Sequence, residues 1–209
     1  MADLFPTIIA QRLVLAAELE VLSDAQWHQP SLVRGWEISH VASHLVWSLE
    51  KSTAGLAWDI LRAAGSFSRA IDNAAARETR TAPQVASSLR ANAQDRRVYP
   101  GVGPAGILMD TLVHCLDIRV PLGLPSNFPA DAVNIVLRRL SKARSKRFFG
   151  TPGGFTFCAQ DVGWQAGAGP RVEGSGVDML LVMTGRTQVV PRLTGDGAAS
   201  FGQRFGGYP

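Results

Sequence analysis

The residues best suited to chemistry are an aspartate, a histidine and a second aspartate in one short run, Asp110, His114 and Asp117. Over residues 104–118, Asp110 and Asp117 are the only formally charged residues, and most of their neighbours are aliphatic. At about 100° per residue, the three residues lie within a stripe of roughly 60° on one helix. Carboxylate and imidazole groups at this spacing predict either a metal site or a buried hydrogen-bonded cluster that serves structure only.

A metal site would need a further ligand from a facing helix. His40 and His44 lie one turn apart in a segment that is predicted to be helical over residues 36–64. His44 lies roughly 110°, and His40 roughly 150°, from the centre of the apolar face of this segment. We therefore expect His44 to lie at the edge of the core, where it could meet His114, and His40 to be exposed.

The elements that must position these residues are helices, followed by a short region of mixed structure. Apolar residues at three- and four-residue spacing predict helices over residues 4–22, 36–64, 66–75, 81–97, 104–120 and 129–143. Beyond residue 150 the pattern predicts strands at 155–159, near 164 and at 171–173, and then a helix over 175–184. The sequence therefore predicts a mainly α chain, with a helical bundle over residues 1–146 and a small α+β domain over 147–209.

Composition limits the classes of function. A chain of 209 residues with 46% hydrophobic content can bury a core and is not disordered. The net charge is only +4, and the sequence contains no nucleic-acid-binding motif. We therefore expect a solvated basic surface and no nucleic-acid partner. No apolar run approaches the ~20 residues that cross a membrane, and the N-terminus lacks a secretion signal. We therefore expect a soluble, cytoplasmic protein without a membrane partner.

Three groups of residues, in order along the chain, resemble the mycothiol-dependent maleylpyruvate isomerase family. Residues 36–45 resemble one signature of that family, and residues 113–123, which include His114 and Asp117, resemble a second. The turn and strand segments between residues 154 and 197 resemble the small C-terminal domain of the family. The resemblance implies a DinB-like four-helix metal-binding bundle, followed by an α+β domain similar to sterol carrier proteins.

The resemblance also implies a divalent metal ion, usually zinc, with His44, Asp110 and His114 as its ligands. The best-known member of the family has glutamate where this chain has Asp110, and the shorter side chain is expected to alter metal distance, affinity or identity. Asp117 is either a fourth ligand or the acceptor that orients a histidine ring, and the resemblance favours a place near the metal outside the three ligands.

Two arginines are candidates for contacts with anionic groups of the cofactor or substrate, Arg119 and Arg186, although a solvated position is the alternative for each. Val120 stands where many relatives have arginine, so one anion contact of the family is expected to be missing.

The function implied by the resemblance is thiol chemistry on a small electrophile. The metal binds the sulfur of mycothiol and stabilises a thiolate, which adds to a cis double bond in an isomerase or stays attached to the product in a transferase. The thiol is expected to be external, because Cys115 points away from the stripe and Cys158 lies in the other domain. A non-catalytic metal- or ligand-binding protein and a metal-dependent hydrolase are the alternatives, and the substrate and the oligomeric state stay open.

Overall fold

The computed structural model describes residues 3–99, 101–142, 149–151 and 153–205. The chain divides into two units, residues 1–125 and residues 126–209. The first unit is helical and the second combines helices with a small sheet, which confirms the predicted fold class. Within the described ranges, no helix has the length and apolarity that a membrane span requires.

The first unit contains both segments that carry the predicted metal ligands. Its helices are α1 (Phe5–Glu20), α2 (Asp24–Trp27), α3 (Ile38–Glu50), α4 (Thr53–Arg62), α5 (Phe67–Ala75), α6 (Ala82–Ala91) and α7 (Gly103–Leu122).

Four of these helices form the bundle, since α1 and α3 each pack against both α6 and α7. Their shared core consists of aliphatic side chains that are almost completely buried, namely Ile8, Leu15, Leu19, Val41, Val85, Leu89, Leu108, Leu112 and Leu116. Each such side chain stabilises the fold by about 1.5–3 kcal/mol relative to an exposed one. This core holds α3 and α7 side by side, and it therefore fixes the residues that face each other across their contact.

The prediction of a single helix over residues 36–64 is wrong, because the structure has two helices there. After α3, Lys51 adopts an extended backbone with φ −92° and ψ 143°. The side-chain oxygen of Ser52 then accepts a hydrogen bond from the N–H of Gly55, at 3.1 Å, in the first turn of α4. A serine in this position satisfies one of the unpaired N–H groups at a helix start, so a new helix begins where the sequence pattern predicted continuity.

The helix that carries Asp110 and His114 has clear signals at both ends. Proline occupies the first turn of α7, where its missing N–H costs no helical hydrogen bond. At the other end Gly123 adopts the left-handed conformation, with φ 68°, and its N–H bonds back to the last turn. Pro121 lies within that last turn, so the helix extends slightly past the end that the sequence predicted.

The second unit contains α8 (Ala130–Leu140), β1 (Thr156–Ala159), β2 (Trp164–Gly167), β3 (Arg171–Gly174), α9 (Gly176–Met183) and α10 (Ala198–Phe205). The sheet order is β2-β1-β3, with β1 antiparallel to β2 and parallel to β3. A capping box at Ser175 and Asp178 begins α9, as the sequence predicted. The sequence did not predict α10 or the 3₁₀ segment Thr187–Arg192.

The division between the units falls before α8, because α8 packs against α9. The helix predicted over residues 129–143 was instead expected to belong to the bundle. The boundary expected between residues 146 and 147, and the expected helix end at Ala143, lie outside the described residues. The likeness of this unit to sterol carrier proteins stays a prediction.

Candidate metal site

Helices α3 and α7 bring His44, Asp110 and His114 together. Nε2 of His44 lies 3.6 Å from Oδ1 of Asp110, and Nε2 of His114 lies 3.5 Å from the same oxygen. One donor atom from each of the three residues lies within 4.8 Å of the other two. The donors therefore converge on one point between the two helices.

The distance from Asp110 to each histidine nitrogen fits a tetrahedral divalent cation, although the three donors as a set are only within 4.8 Å of one another. Zinc bonds of about 2.1 Å at tetrahedral angles place two ligand atoms about 3.4 Å apart, close to the measured 3.5 and 3.6 Å. Two imidazoles and one carboxylate are also a donor set that zinc accepts. Within the described ranges, no other group of three or more His, Cys, Asp or Glu side chains brings its donors so close.

Asp117 lies behind His114 and determines which ring nitrogen faces the centre of the site. Its Oδ2 lies 2.8 Å from Nδ1 of His114, and its side chain has no exposed surface (0%). A carboxylate accepts and does not donate, so we assign the proton of the His114 ring to Nδ1. The lone pair of Nε2 is then directed toward Asp110, as a metal ligand requires.

Two tryptophans enclose His44, which is only 5% exposed. The ring centroids of Trp36 and Trp47 lie 6.0 and 6.5 Å from that of His44. The indole N–H of Trp36 donates to Asp72 on α5 at 3.2 Å, and that of Trp47 donates to Asp59 on α4 at 3.0 Å. The short helices α4 and α5 thus hold the aromatic side chains that keep water from this side of the site.

The open side of the site is at Asp110, whose side chain is 42% exposed. Burial acts to raise the pKa of Asp110, but the close approach of His44 and His114 and the positive charge of Arg12 outweigh it. They lower the pKa to about 2. Asp110 is therefore a carboxylate at neutral pH, and it would lose no proton on binding a cation.

The two remaining histidines have other partners. Nδ1 of His40 accepts a hydrogen bond from the backbone N–H of Glu37 at 3.0 Å and so closes the first turn of α3. His28 is exposed, and the hydrogen bond between its ring and the Glu37 carboxylate, 2.8 Å long, raises the pKa of His28. The capping contact between His40 and Glu37 is not predictable from helical spacing, since it depends on side-chain geometry at the helix start.

Arg119 is turned toward α1. Its side chain is 2% exposed, and Nε donates to Glu18 at 2.8 Å while Nη1 donates to Gln11 at 3.0 Å. Arg186 lies in the second unit, where its Nη1 donates to the carbonyl of Thr184 at the end of α9. Arg119 thus lies at the contact between α7 and α1, and Arg186 lies at the end of α9 in the second unit.

Both cysteines of the chain are buried thiols. Burial raises the pKa of Cys115 to about 12, and burial also raises the pKa of Cys158 in β1. Neither side chain is a thiolate at neutral pH. The chain itself thus provides no reactive sulfur next to the candidate ligands.

One cation near the site was not singled out from the sequence. Arg12 on α1 is 8% exposed, and its charge is one of those that lower the pKa of Asp110. A single arginine within an apolar helix gives no pattern that would distinguish it from a solvated surface residue. Its buried position depends on the packing of α1 against α6 and α7.

Residues 10–119 match the family model described as the mycothiol maleylpyruvate isomerase N-terminal domain, which covers more than half of the chain. The chain belongs to this family. The matched segment contains His44, Asp110, His114 and Asp117, so the candidate site lies wholly within the family domain. No curated protein matches the sequence.

Two solved structures share the fold of this family member. They are a crystal structure of the mycothiol-dependent maleylpyruvate isomerase, with TM-score 0.52, and one of a histidine-to-alanine mutant of it, with TM-score 0.53. Each is 15% identical in sequence, and the match covers 95% of this chain and 97% of the other. At this identity the likeness is one of fold.

Proposed function

We propose that the protein is a metal-dependent enzyme that uses mycothiol. It would either isomerise a small electrophile or transfer the mycothiol sulfur to it, so that the two stay bonded. The convergence of donor atoms from His44, Asp110 and His114, with an open side at Asp110, carries this proposal. Membership of the family supports mycothiol as the thiol, because the family model is named for it.

The two histidines and Asp110 would hold the cation, for which zinc is the preferred identity. A divalent cation in this position would act as a Lewis acid that binds a thiol sulfur and favours its thiolate form. Asp117 keeps the His114 ring in the orientation that the ligand set needs, through the bond to Nδ1. Asp110 and Asp117 together contribute two negative charges that offset the charge of the cation.

An external thiol is supported by the state of the two cysteines, since both are buried and protonated at neutral pH. The side of the site that Trp36 and Trp47 enclose is closed to a reactant. The thiol and the electrophile would therefore approach from the side of Asp110.

Metal content is the first test. We expect about one zinc per chain in the untagged protein by elemental analysis, and a loss of most of it in His44→Ala and in His114→Ala. The matched control is His40→Ala, on the same helix one turn away, which should keep its metal. Metal-free wild-type protein, or a metal content that neither ligand variant lowers, would contradict the proposal.

The thiol is tested separately on the metal-loaded protein. A ligand that binds only the folded state raises the melting temperature by mass action, so mycothiol should produce a concentration-dependent increase. Incubation with mycothiol and maleylpyruvate would then distinguish isomerisation from attachment by the product formed. Retained metal without any thermal shift at saturating mycothiol would instead favour the hydrolase or the non-catalytic binding protein.

A further inference from the structure

The two histidines of the candidate metal site differ in what holds their rings. Nδ1 of His114 lies 2.8 Å from the buried carboxylate of Asp117. Nδ1 of His44 is also buried, but it has no hydrogen-bond partner within the described part of the chain. Buried polar atoms nearly always have a partner, so this exception needs a physical reason. A contact other than a hydrogen bond at Nδ1 must orient the His44 ring.

Aromatic rings surround His44 at several angles. The ring centroids of Trp36, Trp47 and His114 lie 6.0, 6.5 and 4.8 Å from that of His44, and their planes are inclined to it by 62°, 31° and 77°. Close-packed rings at these angles restrain the plane of the imidazole. Packing does not distinguish the nitrogen from the carbon edge of that ring, since the two are alike in size. Asp110 makes this distinction, because its Oδ1 lies 3.6 Å from Nε2 of His44.

Each of the two indoles is anchored outside the site. Trp47 donates its N–H to Asp59 on α4 at 3.0 Å, and its ring belongs to a buried apolar cluster that includes Leu56. Trp36 is half-buried just before α3, and its N–H donates to Asp72 on α5 at 3.2 Å. The side chains that flank His44 are therefore fixed from helices other than those that carry the candidate ligands.

We propose that Trp36 and Trp47 are positioning residues for cation binding, because they hold the plane of the His44 ring in place of a hydrogen-bond acceptor. They do for His44 what Asp117 does for His114. One histidine of the site is thus oriented by a buried charge and the other by packing. The inference rests on the proposed function in one respect, which is that His44 is a ligand. The order of its ring can be measured without any metal.

The first test is nuclear magnetic resonance of the metal-free protein with ¹³C-labelled histidine rings. The chain has four histidines, so one histidine-to-glutamine variant for each assigns the signals. In Trp36→Leu, carbon relaxation should show a more mobile His44 ring with a lower order parameter, whereas the His114 ring should not change. A His44 ring that stays equally ordered in this variant would overturn the proposal, whether or not the protein binds metal.

The second test is the affinity for Cu²⁺, measured by competition with a chelator. Cu²⁺ binds such sites more tightly than zinc, so a site that has lost one ligand stays measurable. Trp36→Leu should weaken binding about tenfold or more, the loss typical for a partner of a ligating histidine. The same change should have its full effect in a His114→Ala background and less than about a twofold effect in a His44→Ala background. Equal losses in both backgrounds would overturn the proposal, whereas a wild-type protein that binds no metal would contradict the proposed function and leave the ring measurement to decide.

The matched control is Trp27→Leu on α2, which removes a more deeply buried indole that is not among the rings described around His44. It should leave the order of the His44 ring and the Cu²⁺ affinity unchanged, even where it lowers stability. If circular dichroism shows that Trp36→Leu does not fold, Asp72→Ala replaces it, because the bond from Trp36 to Asp72 lies at the surface. Loss of this anchor should change both quantities in the same direction by a smaller amount, and no change in either would overturn the proposal.

Discussion

At the scale of single residues, the candidate site depends on which atom each side chain directs to its centre. His114 has two ring nitrogens, and Asp117 engages one of them at 2.8 Å, which leaves the other for Asp110 and a cation. Because Asp117 is completely buried, its carboxylate has no water to replace that partner. The pair therefore fixes both the tautomer and the orientation of the ring.

Replacement of Asp117 by asparagine should lower the metal affinity about 10- to 100-fold, as is typical for partners of ligating histidines. Asparagine keeps the size of the side chain but loses the negative charge that makes the His114 ring more basic. The affinity can be measured by competition with a chromophoric chelator. The exposed Asp24→Asn is the control and should bind metal like the wild type. An unchanged affinity in Asp117→Asn would assign Asp117 to structure alone.

Sequence periodicity was sufficient to distinguish His44 from His40, because their difference in helical phase decides which one the core encloses. It could not show that Trp36 and Trp47 would both flank His44, since their anchors Asp72 and Asp59 lie on other helices. It also could not show the partners of Arg119, which lie 101 and 108 residues away in the chain. Local pattern predicts the face on which a side chain lies, whereas its partner depends on how the helices assemble.

At the scale of the elements, the contact between α1 and α7 contains a buried ion pair. Arg119→Leu should destabilise the protein by about 3 kcal/mol or more, because it leaves Glu18 partly buried without its cation. Chemical denaturation measures this loss, and elemental analysis should find the metal content unchanged. The control is Arg90→Leu, which breaks an exposed pair with Glu20 and should cost less than about 1 kcal/mol. A stable Arg119→Leu variant that binds mycothiol poorly would instead support the anion contact expected from the sequence.

The connection between α5 and α6 is held to α3 by Glu78 and Arg80, which make a two-point ion pair, while Arg80 also donates to Glu50 at 2.8 Å. The hydrogen bond from Arg80 lowers the pKa of Glu78 below its ordinary value of 4.5. A carboxyl group with a lowered pKa in the folded state stabilises the fold above the unfolded pKa, and this contribution is lost as the pH falls through the folded value.

Glu78→Gln should therefore reduce the free energy of unfolding by about 1–2 kcal/mol at pH 7. The difference from wild type should shrink as the pH falls below about 4.5, since the wild-type carboxyl group is then protonated in the unfolded state and finally in the folded state as well. Urea denaturation at a series of pH values measures it. The exposed Glu20→Gln should differ little from wild type in free energy of unfolding at any pH. A difference for Glu78→Gln that does not change with pH would contradict the stabilising role of the ionised Glu78.

Most helices were predictable from apolar spacing, and the errors occur where that spacing continues through a change in backbone direction. Leu49 and Leu56 are both buried, so the apolar spacing continues across Lys51 and Ser52. It therefore gives no sign that the helix ends there. Likewise α6 ends at Ala91, although a helix was predicted to residue 97. The residues after α6 instead follow an irregular path in which the backbone carbonyls of Ala93 and Asp95 are free to accept from Arg12.

At the scale of the whole molecule, all of the candidate metal chemistry lies in the first unit. The three donors and Asp117 come from α3 and α7, whereas Arg186 is part of the second unit. The first unit alone contains every residue proposed to hold the cation, so its metal binding is expected to be separable from the second unit.

A fragment that ends after residue 125 should consequently fold and bind one metal ion with an affinity within a few-fold of that of the full chain. The reason is that the bundle core and every proposed ligand are internal to this unit. If Arg186 contacts the thiol, the fragment and the full-length Arg186→Gln variant should both lose the thermal shift with mycothiol while they keep their metal. Circular dichroism, elemental analysis and thermal denaturation measure the three properties. A folded fragment without metal would show that the second unit supplies a ligand, and a fragment that responds fully to mycothiol would remove Arg186 from the thiol site.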